Sequence, residues 1–194
     1  VDYVGHPILD SMAQQRPTLL SSEEFRKQYE LDTRPIIALL PGSRKREINT
    51  KLPRMLTAVN HFPDYQFIIA GSEAMDRTIY DEYLGSEVKV VFGKTYDILN
   101  NAISALVTSG TATLETALFR VPQVVCYKPG WLTFHLLKHI ISIKYICMIN
   151  LILDRKVVQE LVESDLNEKR IAQELKNTLN PDVRVSMLSA YDEL

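Results

Sequence analysis

The chain has 194 residues, 46% hydrophobic and 24% charged, which is ample for one substantial core and excludes disordered, collagenous and fibrous classes. Its 22 basic and 24 acidic residues leave a net charge of -2, so it lacks the general polyanion footprint of nucleic-acid proteins and no nucleic-acid partner is expected. Its two cysteines, Cys126 and Cys147, lie in apolar stretches, which suits buried thiols in a reducing, cytoplasmic compartment.

From the amino terminus, Val1 to Pro7 offers neither a Met nor a signal region and reads as the middle of a chain. Residues 1–34 are expected to form a hinge and a leading helix. Short β-branched runs then alternate with amphipathic segments, the mark of an α/β, doubly wound parallel sheet. The expected strands are Ile36 to Leu40, Gln66 to Ala70, Val88 to Phe92, Ile103 to Val107 and Gln123 to Tyr127. Between them, helices are expected over Glu47 to His61, Glu73 to Leu84, Tyr96 to Asn101 and Thr111 to Phe119. Residues 35–130 thus form a Rossmann-like core, and 131–194 reads as helical through segments at 131–142, 156–163, 167–179 and 182–192. The whole is expected to be one domain.

The hydrophobic stretch from Trp131 to Leu153 is broken by His135, Lys138, His139 and Lys144, leaving too short an uncharged run to span a bilayer. Two readings of Trp131 to Ile141 stay open. One is peripheral membrane contact through aromatic and aliphatic residues. The other, favoured by apolar positions 132, 136, 137, 140 and 141, is a packed helix.

In a doubly wound sheet, ligands sit beyond the carboxyl ends of the strands, so the loops there are the candidate sites. After the first strand comes Pro41-Gly42-Ser43-Arg44, where Gly42 permits a tight turn and close approach of backbone to ligand. Arg44, nearest the turn, is the expected phosphate contact through its planar donor fork. Ser43 could instead cap the next helix, and Lys45 and Arg46 read as a solvated face. After the fourth strand comes Ser109-Gly110-Thr111-Ala112, a glycine turn opening a helix rich in hydroxyls. Free N–H groups there, at the positive end of the helix dipole, suit a diphosphate. Glu115, one turn further on, suits acceptance of hydrogen bonds from paired ribose hydroxyls, with a dipole partner as the competing reading.

Other patterns fail their own chemistry. Gly93-Lys94-Thr95 imitates the end of a P-loop, but Val88 stands where that motif needs its first glycine. His135 and His139 are four apart, but Leu136 stands where a zinc-protease motif needs Glu. There is no Asp-x-Asp pair to hold a metal on a nucleotide diphosphate, so leaving-group charge would fall to protein donors.

Taken in order, Val4-Gly5-His6-Pro7, Leu40-Pro41-Gly42-Ser43-Arg44 with Glu47-Ile48, Ser109 to Glu115, Tyr127-Lys128, Asn150-Leu151-Ile152, Val157-Val158 and Glu160-Leu161 resemble the carboxyl-terminal half of lipid-A-disaccharide synthases. The resemblance implies a GT-B glycosyltransferase with two Rossmann-like domains facing a cleft. It implies transfer of 2,3-diacylglucosamine from its UDP derivative to 2,3-diacylglucosamine 1-phosphate, without a metal or cofactor, at the cytoplasmic face of the bacterial inner membrane. Carried over by position, Arg44 contacts the diphosphate side, Ser109, Gly110, Thr111 and Ala112 the phosphates, Glu115 the ribose and Asn150 the donor pocket, with Gly42, Ser43 and Lys128 as further substrate-binding candidates. Arg44 would stabilise the leaving group.

The family's amino-terminal acceptor domain, with its Gly-Glu-x-Ser-Gly-Asp motif and expected base, is not in this sequence, so the chain is expected to bind UDP without turnover. Glu163 stands where the family usually has Gln. Two other functions stay open: another GT-B enzyme, such as a UDP-N-acetylglucosamine epimerase, and a non-catalytic nucleotide-binding module.

Overall fold

The computed structural model describes residues 7–85, 87–128 and 144–194. In chain order come α1 (Pro7–Gln15), α2 (Ser22–Gln28), β1 (Ile36–Leu40), α3 (Lys45–Leu56) and β2 (Gln66–Gly71). There follow α4 (Thr78–Asp81), β3 (Val88–Phe92), α5 (Thr95–Asn101), β4 (Ala102–Thr108), α6 (Thr111–Leu118) and β5 (Gln123–Tyr127). The last described elements are α7 (Met148–Ile152), β6 (Gln159–Val162), α8 (Glu168–Leu179) and α9 (Pro181–Tyr191).

The run Ile36-Ile37-Ala38-Leu39-Leu40 has no polar residue to give to solvent, and all of β1 is buried inside the sheet. Six parallel strands take the order β3-β2-β1-β4-β5-β6, the doubly wound class expected, with one strand more. Successive side chains of β1 point to opposite faces. Ile37 and Leu39 join Ile48, Leu52 and Met55 of α3 and Ile171 and Leu175 of α8. Ile36, Ala38 and Leu40 join Phe25 of α2 and Ile98 and Leu99 of α5. Further along the second face, α6, α7 and α9 cover β5 through Leu114, Ile149, Met187 and Tyr191 around Val125. Each fully buried Ile or Leu contributes roughly 1.5–3 kcal/mol, so these two layers, rather than surface ion pairs, determine the fold.

The structure corrects the carboxyl-terminal reading. Residues 156–163 are not a helix; Gln159–Val162 is the edge strand β6, parallel to β5 with Cys126 opposite Leu161. Apolar residues at 157, 158, 161 and 162 fit either period, and the free edge of β5 decides for strand. The expected helix over Glu73 to Leu84 shrinks to the single turn of α4. There the Asp76 carboxylate accepts from the Thr78 N–H and hydroxyl, a local bond that competes with helix continuing from residue 73. The expected Glu47 to His61 helix starts earlier and ends at Leu56, with a separate 3-10 turn at Val59–His61. Two helices, α1 and α2, replace one leading helix. In α2, Ser21 and Glu24 form a reciprocal capping box.

The expected helix at 131–142, the membrane reading of Trp131 to Ile141, His135 and His139, and the Val4-Gly5-His6 segment lie outside the described residues. Among the described residues, no helix is long and apolar enough to cross a membrane.

Candidate nucleotide-binding cleft

The chain leaves β1 toward β2 on one side, while β4 lies on the other side of β1. The loops after β1 and β4 therefore diverge and leave a crevice at this switch in strand order. The crevice is a cleft of about 430 Å³ lined by Gly42, Ser43, Arg44, Glu47, Thr108, Ser109, Gly110, Thr111, Ala112 and Glu115, with Ala70, Gly71 and Ser72 from the end of β2. Both sequence-predicted loops thus meet in one place.

On the β1 side, Gly42 has φ +110°, a conformation that a side chain strains, and a Cβ there would collide with the Glu47 carboxylate. Glu47 folds back over the turn and accepts from the Ser43 backbone N–H at 3.2 Å. The N-cap of α3 is Arg44, not Ser43, and no side chain caps this helix. Among the described residues Arg44 pairs only with Glu47, at 3.5 Å, and its side chain is 83% exposed, so its guanidinium is open to a ligand.

On the β4 side, Gly110 (φ +147°) is the N-cap of α6, again without a side-chain cap. A Cβ at Gly110 would meet nothing within 4 Å, so the turn opens directly into the cleft. The Thr113 N–H and hydroxyl both turn back to the Gly110 carbonyl at 3.1 and 2.7 Å. Thr111 and Ala112, the first residues of the helix, line the cleft at the positive end of the α6 dipole, which favours an anion.

Glu115 lies on the wall shared with a neighbouring cavity of about 330 Å³, lined also by Gly71, Ser72, Gly93, Lys94, Thr95, Tyr96 and Asp97. The Tyr96 hydroxyl donates to Glu115 Oε1 at 2.9 Å, which orients the carboxylate; among the described residues Oε2 accepts no hydrogen bond. Burial and this carboxylate both push the Tyr96 phenol above its ordinary pKa. Gly93-Lys94-Thr95, rejected as a P-loop, is instead the turn into α5, with Lys94 as its N-cap residue.

Two expected site residues are not in the cleft. Asn150 is fully buried: its Nδ2 donates to the Val158 carbonyl and Glu160 Oε1, and its Oδ1 accepts from the Val157 and Val158 N–H groups. Its polar atoms tie α7 to β6 and the residues just before it, and Asn150 does not line the cleft. Lys128 follows the end of β5 and is half-buried, but it does not line the cleft.

The cleft also holds residues that the sequence reading left out: Gly71, Ser72 and Thr95. Their signal was the same small-residue punctuation, since Gly71-Ser72 ends β2 as Gly42-Ser43 follows β1. A larger groove, about 1030 Å³, runs between His61, Phe62, Tyr65 and the Lys169 and Lys176 face of α8. Tyr65 precedes β2, so this groove lies at the opposite end of the strands, away from both loops.

Comparison with known proteins gives a consistent match. The family model described as lipid-A-disaccharide synthetase matches residues 1–191. The chain is 39% identical over 188 residues to the lipid-A-disaccharide synthase of Coxiella burnetii (strain Dugway 5J108-111), covering 93% of this chain and 48% of that protein. It is 34% identical over 186 residues to that of Anaeromyxobacter sp. (strain K), covering 91% and 47%. The chain thus spans about half the length of the curated relatives it matches. Among solved structures, the spinosyn rhamnosyltransferase SpnG complexed with thymidine diphosphate superposes with a TM-score of 0.60 at 14% identity, over 84% of this chain and 42% of that one. An S. aureus MnaA–UDP structure superposes with a TM-score of 0.58 at 12% identity, over 90% and 44%. The fold is therefore the Rossmann-like α/β fold that recurs in glycosyltransferases.

Proposed function

Because the chain belongs to the lipid-A-disaccharide synthetase family, we propose that its cleft seats the UDP portion of UDP-2,3-diacylglucosamine, as the donor half of a glycosyltransferase. The diacylglucosamine unit passes to 2,3-diacylglucosamine 1-phosphate, and UDP leaves. The acceptor and the base that deprotonates it belong to the remaining half of the relatives' length. In this reading the reaction runs at the cytoplasmic face of a bacterial inner membrane, and its acyl-chain substrates call for peripheral contact.

Breaking the anomeric bond places charge on the departing diphosphate. Arg44 and the Thr111 and Ala112 N–H groups interact more strongly with that charge as it develops than with the intact donor, so their stabilisation lowers the barrier. Gly42 and Gly110 keep side chains out of the way, Ser43 and Ser109 supply hydroxyls, and Glu115 accepts from the ribose. In this account the protein donors neutralise the leaving group without a metal.

The observation that supports the reading best is the convergence of the Gly42-Ser43-Arg44 turn and the uncapped α6 N-terminus on one cleft. A calorimetric titration of the chain with UDP, ADP and NAD tests it. Selective UDP binding is expected, and a preference for NAD would overturn the reading.

A further inference from the structure

Behind the β4 wall of the cleft lies a charge that the leaving-group account does not use. Lys51, in the middle of α3, is only 4% exposed. Its Nζ donates to Oγ1 of Thr108, the last residue of β4, and Thr108 lines the cleft. Among the described residues, no carboxylate lies within ion-pairing distance of Lys51. Glu47, one turn earlier on the same helix, acts on it only at longer range.

An ammonium carries three donors and no lone pair, so Thr108 Oγ1 is the acceptor in this pair and its own hydroxyl proton must point elsewhere. Among the described residues none accepts that proton, and Thr108 itself lines the cleft. A buried ammonium without a counter-charge is costly to the fold and strengthens any anion that approaches it through low-dielectric protein. We propose that Lys51 is the buried cation of the diphosphate site, acting as a positioning residue that fixes and polarises the Thr108 hydroxyl as a donor to a phosphate oxygen. The inference rests on the nucleotide reading of the cleft and adds to it a residue outside the Gly42–Arg44 and Ser109–Ala112 loops. Burial lowers the Lys51 pKa, more than Glu47 raises it, and an anion bound nearby would favour the charged form again.

The test is titration of the chain and of Lys51→Met, Thr108→Val and Thr108→Ser with UDP and with uridine, alongside thermal melting. Lys51→Met and Thr108→Val should each weaken UDP on the order of tenfold, as expected for loss of one charge-assisted hydrogen bond, while leaving uridine affinity unchanged. The double variant should be no weaker than either single one, because the two residues act as one unit. Thr108→Ser should retain binding, and Lys51→Met should melt no lower than the parent. Equal UDP affinity in Lys51→Met, or equal loss for UDP and uridine, would overturn the inference while leaving the nucleotide reading intact. A parent chain that does not bind UDP would overturn both.

Discussion

The Tyr96 hydroxyl donates to Glu115 Oε1 at 2.9 Å across the wall between two adjoining cavities, and the Tyr96 ring packs 5.1 Å from Phe119 at the end of α6. One carboxylate oxygen is thereby held by the protein, and among the described residues the other accepts no hydrogen bond. If Glu115 accepts from ribose hydroxyls, Glu115→Ala should weaken UDP by about tenfold and abolish discrimination between UDP and 2′-deoxy-UDP. Tyr96→Phe should weaken UDP only a fewfold, since it loosens the carboxylate without removing it. Calorimetry with the two nucleotides checks both. Retained discrimination in Glu115→Ala would leave that residue as a dipole partner only.

Arg44 is the exposed cation of the β1 loop, tethered to Glu47. Arg44→Ala should weaken UDP binding by the chain. In a complete enzyme of the family it should lower turnover by on the order of 10²-fold, the cost of removing one oxyanion-type donor. Unchanged kinetics would remove Arg44 from the leaving-group role.

Asn150 gives the opposite signature. Its four hydrogen bonds hold α7 to β6 in the dry interior, and truncation leaves buried partners unsatisfied, at about 1–3 kcal/mol for each group left without a partner. Asn150→Ala should lower the urea midpoint substantially and leave the UDP affinity of the folded fraction unchanged. Lost UDP affinity in a fully folded variant would restore it to the donor pocket.

Cys126 supplies the pH dependence. Burial in the core pushes its thiol up to about 12, against a smaller opposing effect of Lys51. A group whose folded pKa is raised contributes stability that is complete below its unfolded value and is lost as pH rises through the folded value. Its contribution should therefore fade between roughly pH 8.5, where a free thiol titrates, and about pH 12. Alkylation at pH 8 should label Cys126 in urea and leave it unmodified in the native chain, as read by mass spectrometry.

The strand runs were legible because β1, β2, β4 and β5 bury nearly every residue and are written in mostly apolar letters. The two cleft loops were legible for a related reason, since a glycine beside a hydroxyl at a strand end has few structural uses. What stayed hidden depended on partners distant in sequence. Val158 and Leu161 suit a helix until the edge of β5 is there to pair with, and Asn150 suits a ligand site until Val157, Val158 and Glu160 are folded against it. Lys51 carried no signal of its own in the sequence, because only the tertiary fold brings Thr108 to it, 57 residues away.

The central claim is that UDP occupies the cleft between the β1 and β4 loops. Amide chemical-shift mapping of the isotope-labelled chain during UDP titration tests it most directly. The account predicts saturable shifts at Gly42, Ser43, Arg44 and Ser109 to Ala112, with the groove amides at His61, Lys169 and Lys176 unmoved. Shifts centred on that groove, or none at Ser109 to Ala112 at saturating UDP, would contradict it.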